Sequence, residues 1–174
     1  MDVQNVYKNN KPVTSDGLFL KIQPDAKVRM RILGIPAVFE SRFEDQKTGK
    51  TTVSTKYAWP VYNHDEGKVQ VFQGGPQIYN GLLALIEDED WGDPSKYDVT
   101  VGRTGSGTDT KYSVVGSPKS KDVPEDVEAP DVVAIQSKSP NNSKVRLLGQ
   151  DAPVEDVVLD DIDDAPVDLS EIPF

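Results

Sequence analysis

Two stretches of this sequence carry residue types at spacings suited to holding a polyanion. In Lys27-Val28-Arg29-Met30-Arg31-Ile32-Leu33, cations alternate with apolar residues. A strand projects residues i and i+2 from one face, so Lys27, Arg29 and Arg31 would share a face opposite Val28, Met30 and Ile32. Three like charges in a row repel unless an anion meets them, and the anion expected here is nucleic-acid phosphate. The second stretch, Tyr57-Ala58-Trp59-Pro60-Val61-Tyr62, holds three of the chain's thirteen Trp, Tyr and Phe residues. Tyr57 and Trp59 would project together and Tyr62 to the other side. Paired aromatics hold unpaired bases by stacking, at about 1–3 kcal/mol per base. The same rings would be core if their face pointed inward, because a one-residue shift in register exchanges the two sets. Phe72 joins the stacking set, and Lys47, Lys50 and Arg103 join the phosphate-binding set.

Other chemistries find little here. With no cysteine and one histidine, thiolate metal sites, disulfides and the usual nucleophile and base constellations are excluded, so no enzymatic activity, cofactor or metal is expected. His64 lies in the turn Asn63-His64-Asp65-Glu66-Gly67 and reads as a solvated residue. Gly49-Lys50-Thr51 imitates the end of a phosphate loop, but the motif's first glycine would fall on Glu44, and the flanks read as strands. The late acids Asp160, Asp161, Asp163, Asp164 and Asp168 lack the glycine and ligand spacing of a calcium loop.

The elements that must position these residues follow from periodicity. One strand starts at Lys27 and continues through a bend at Gly34 to Phe39; others cover Thr52–Tyr62 and Lys68–Phe72. Pro76 opens an amphipathic helix with Ile78, Leu82, Leu85 and Ile86 at helical spacing, and Glu87 to Asp90 lie just beyond its end. Tyr97–Val101 and Lys111–Val115 form a hairpin around Arg103 and the glycines 105 and 107. Strand, strand, strand, helix, strand, strand is the element order of the OB-fold, a five-stranded Greek-key barrel with one helix between its third and fourth strands. The fold class expected is therefore all-β with one helix. In an OB-fold the face of strands two and three, with the loops joining strands one to two and four to five, binds oligonucleotides.

Charge divides the chain. Residues 1–121 carry 16 Lys and Arg against 15 Asp and Glu, whereas residues 122–174 carry 3 against 14. The acidity belongs to the second part, leaving the cations of the first free to cluster. Three regions are expected: an arm over 1–26, an OB-type domain over 27–121, and a largely disordered acidic tail over 122–174. The apolar islands 132–135 and 144–148 interrupt that tail. No secretory leader or membrane span is read, so the expected location is the cytoplasm. Oligomeric state is left open.

Two resemblances add to this. Glu89-Asp90-Trp91-Gly92-Asp93-Pro94 through Tyr97-Asp98-Val99-Thr100-Val101, then Arg103, Gly105, Gly107 and Thr110-Lys111-Tyr112, resembles the signature of bacteriophage single-stranded-DNA-binding proteins with an OB-fold. The similarity spans roughly residues 25–120. The acidic run ending in Glu171-Ile172-Pro173-Phe174 is similar to the tip of bacterial single-stranded-DNA-binding proteins, with Leu169-Ser170-Glu171 replacing part of the aspartate run. The resemblance implies a sequence-independent single-stranded-DNA-binding protein of phage replication, recombination and repair, located in the host cytoplasm. It also implies recruitment of partner enzymes through Asp168, Glu171, Ile172, Pro173 and Phe174. Rival readings are a protein-binding adaptor built on an OB-type domain, and an anionic mimic of DNA.

Overall fold

The computed structural model describes residues 2–4 and 15–151; the tail tip, Asp168 and Glu171 to Phe174, lies outside them. The regular structure of the described chain is mostly antiparallel sheet, with one longer helix. Strands β1 (Lys27–Ile32) and β2 (Ala37–Glu44) are the halves of one bent strand, and both pair with β3 (Thr51–Asn63). The bend at Leu33 to Pro36 keeps its hold on β3 through Leu33 N–H, which donates to Pro60 O at 2.8 Å. Strand β4 (Lys68–Gly74) pairs with the C-terminal half of β3, and β5 (Asp98–Thr104) joins β1 to β6 (Lys111–Gly116).

Helix α1 (Pro76–Glu87) begins with proline at a position where no N–H is needed and buries Ile78 and Leu82. It ends at Glu87, which falls inside the last turn contrary to expectation, while the acids 88–90 lie beyond it, where the dipole opposes them less. Its Gly81 lies so close to β6 that an added Cβ would stand 2.8 Å from a Val114 methyl. The main core lies between α1 and the sheet, where Met30, Ile32, Trp59, Val61, Phe72, Val99 and Val101 are all buried.

The sheet does not close into a barrel. Among the described residues no ladder joins β4 to β6. The arm Phe19–Ile22 runs there instead: Leu20 N–H donates to Val71 O at 2.9 Å, and Arg103 Nη1 donates to Ile22 O at 2.9 Å. The arm thus occupies hydrogen-bonding groups that a closing strand would have used.

The domain also extends past residue 121, where the change in composition had placed its end. Helix α2 (Val132–Ser137) is capped by Asp131, whose carboxylate accepts from Ala134 N–H at 3.1 Å, and β7 (Asn142–Leu147) pairs with β2. Together they cover a second core of Ala37, Phe39, Ala58, Val71 and Val132 on the opposite side of the sheet. Apolar islands within an acidic segment find enough surface to bury because β2, β3 and β4 present an apolar back.

Candidate nucleic-acid interface

The residues singled out for phosphate and base binding do not form one groove. Trp59 is 3% exposed and Phe72 is 3% exposed, with ring centroids 6.0 Å apart in the main core. Neither is accessible to a base, which corrects the stacking assignment for both. Alternation had correctly placed Tyr57 and Trp59 on one face; that face points inward. Tyr57 is half-buried and stacks on Tyr79 of α1, with centroids 4.5 Å apart. Burial and the neighbouring Tyr79 raise its phenol pKa, while Arg146 opposes the shift. The other side of β3 and β4 is covered by α2 and the arm. The part of the strand-two and strand-three surface that carries these aromatics is therefore enclosed on both faces, whereas Thr51 to Lys56 of β3 stay exposed.

Arg29 and Arg31 project from the outer face as alternation requires, but their anion is internal. Asp98 sits directly opposite Arg31 in the β1–β5 ladder and is completely buried. Its carboxylate accepts from Arg29 Nε at 3.0 Å, Arg31 Nε at 2.8 Å and Lys121 N–H at 2.7 Å, and it lies 2.9 Å from His64 Nε2. Arg29 Nη2 also reaches Lys119 O, and Arg31 Nη2 reaches Lys121 O at 3.0 Å, so the cluster straps the segment after β6 onto the sheet. His64, read as solvated, has a side chain only 4% exposed. Burial raises the Asp98 pKa, but the bonds from Lys121 N–H, His64 and the two arginines outweigh it and hold the group below the usual carboxylate range. These two arginines are structural.

Lys27 is exposed at the start of β1, and Lys47 and Lys50 are exposed at the tip of the β2–β3 hairpin. That tip is a turn: Gly49, at φ 72°, donates to Asp45 O at 2.7 Å, and Lys47 N–H donates to the Asp45 carboxylate at 2.8 Å. Gly105 has φ 75°, and a Cβ there would stand 2.4 Å from Asp109 O, so only glycine fits. Its amide donates to the Asp25 carboxylate at 3.3 Å and is not free for a phosphate.

Arg103 is the assigned residue whose surroundings suit an anion. It lines a cleft of about 410 Å³ between the arm, β4 and the β5–β6 hairpin, together with Lys21, Gln23, Gln73 and Tyr112. Among the described residues no carboxylate lines this cleft. Arg103 Nη1 is taken by Ile22 O, Nε has no partner, and the guanidinium makes no ion pair with any described residue. Tyr112 stands opposite Arg103 in the ladder and so shares its face. Tyr112 escaped notice in the sequence because it reads as an ordinary strand aromatic; its pairing with Arg103 across the eight intervening residues was the available signal. A second pocket of about 580 Å³, beside α1, is apolar, and its one charged residue is Asp93, so it offers no anion site.

Among the described residues, no cluster of three His, Asp or Glu side chains could hold a metal, and no helix is long and apolar enough to cross a membrane. Comparison with protein families, curated proteins and solved structures finds no match to this chain.

Proposed function

We propose that this domain is an open variant of the OB architecture and that it binds single-stranded DNA without catalysis, through the cleft at Arg103. The connectivity supports the architectural part. If β1 and β2 are taken as one bent strand, the chain runs through three strands, a helix and two more strands, the element order of that fold. The observation that carries the functional part is a guanidinium with no carboxylate partner among the described residues, beside the half-buried Tyr112. One nucleotide can place its phosphate on Arg103 and its base against Tyr112, and both contacts are indifferent to sequence. The acidic segment beyond residue 151, with its Ile172-Pro173-Phe174 tip, would recruit replication and repair proteins in the manner its resemblance implies.

Arg103→Gln tests the site. It keeps a donor for Ile22 O and removes the charge, so the domain should melt normally while affinity for an unstructured oligonucleotide falls about tenfold. A charge-assisted hydrogen bond contributes roughly 1.5–3 kcal/mol, and the salt slope should lose about 0.7. Unchanged affinity in a folded variant would remove the cleft from the interface. A second reading, a protein-binding adaptor, draws on the apolar pocket beside α1. It predicts no DNA affinity in the wild-type chain.

A further inference from the structure

The N-terminal half of β3 has an open edge. Residues Thr51 to Lys56 pair with β2 on one side, whereas β4 begins only at the level of Tyr57. The direction of each peptide group follows from neighbouring bonds. Arg42 N–H donates to Asn141 O, away from β3, so Ser41 and Phe43 face β3 and bond to Ser54 and Thr52. Pro60 O accepts from Leu33 on the β1 side, which gives the same parity. Thr51, Val53 and Thr55 therefore direct their N–H and C=O groups outward, where no described residue meets them.

Natural edges are usually guarded by charge, proline, a bulge or a covering segment. Here Thr51-Thr52-Val53-Ser54-Thr55 is uncharged, β-favouring, free of proline and exposed. Other edges carry such guards, and on β6 Tyr112 N–H donates to Gln77 Oε1 of α1 at 3.2 Å. The outer edge of β4 is met by Phe19 and Leu20, and β7 carries Lys144 and Arg146 with a register shift where it meets β2.

We infer that the occupant of this edge is the same edge of a second copy, paired antiparallel about a two-fold axis through Val53. An axis normal to the sheet keeps each face on its own side, so only residues of the same face can meet. Centring on Val53 satisfies all three outward residues: Val53 meets the partner's Val53, Thr51 meets the partner's Thr55, and Thr52 meets the partner's Ser54. These are β-branched and hydroxyl pairs of the kind that favour cross-strand contact. Centring on Ser54 would set Thr51 against Tyr57, whose edge is already held by Gly74. Lys50 then faces the partner's Lys56 at each end of the ladder, so added salt tightens the dimer, opposite to its effect on DNA binding.

The test is sedimentation of the full chain across protein concentration, beside Val53→Pro. Because the Val53 N–H points outward, proline there costs no bond within the protomer; it removes a donor from each side of the dimer. The wild-type chain should reach dimer mass on the order of tens of micromolar, with salt favouring it. Val53→Pro, still folded by its melting transition, should raise the dimer dissociation constant about tenfold or more. In this cysteine-free chain, Val53→Cys should be linked to dimer by a short bismaleimide far more readily than Thr48→Cys at the hairpin tip. A wild-type mass of one chain up to about 0.5 mM, or equal linking at both positions, overturns the inference.

Discussion

Replacing Asp98 with asparagine should cost the fold about 3–5 kcal/mol, the usual cost of removing one member of a buried ion cluster. The carboxylate is the common acceptor for Arg29, Arg31 and the Lys121 amide, and it is fully enclosed. Asparagine retains one acceptor oxygen but no charge, so two half-buried guanidinium groups lose their counter-ion and the strap over residues 117–121 loses an anchor. The loss should depend on pH in a definite direction. The folded Asp98 pKa is depressed, so its contribution is fully present above the ordinary carboxylate value of about 3.9. It disappears as pH falls through the lower folded value. Urea unfolding at neutral pH and at several acid pH values should show wild type and Asp98→Asn far apart at neutrality and converging in acid. A constant gap across that range would mean that the carboxylate's charge does not matter.

Trp59→Ala should be comparably costly. Trp59 packs against Phe72, and the ring stands where a Cβ on Gly74 would lie 3.2 Å away, so little can move in to fill its place. Truncating a buried Trp costs about 3–5 kcal/mol, which for a domain of this size lowers the melting temperature by on the order of 10 °C or more. Scanning calorimetry reads that shift. Any fraction that remains folded should bind oligonucleotide like wild type, since the ring touches only core. A normal melting temperature with lost binding would return Trp59 to the interface.

Sequence reasoning placed Trp59, Arg29 and Arg31 well but assigned them to a nucleic-acid surface, and it gave Asp98 no role, for identifiable reasons. Strand β1 has one apolar and one charged face, so its inward side was legible and Met30 and Ile32 are core. For Arg29 and Arg31 an anion is indeed present, whereas Lys27 is exposed and does not reach it. The anion was hidden because Asp98, 67 residues from Arg31, looks in the sequence like any acid opening a hairpin. Strand β3 offers no such contrast. Tyr57, Trp59 and Val61 alternate with Ala58, Pro60 and Tyr62, apolar on both sides, because this strand lies between two cores. Alternation says which side chains share a face, and polarity must say which face is inward.

The second core explains the misplaced domain end as well. Val132 to Ile135 and Val145 to Leu147 are too short to declare themselves within an acidic segment, although Asp131 three residues before Ala134 was a readable helix cap. What could be followed along the chain was local order: the hairpins, the helix from Pro76 and the bend near Gly34. What could not was long-range occupancy, including the arm that holds the sheet open beside Arg103.

The central claim is tested most directly by titrating a fluorescently labelled, unstructured oligonucleotide with the full chain at several salt concentrations, with Arg103→Gln alongside. Saturable binding that weakens with salt by about 0.7 log unit per phosphate contact, with a shallower slope and lower affinity for the variant, is the predicted result. No binding by the wild-type chain at any salt concentration, or equal binding by both proteins, would contradict it.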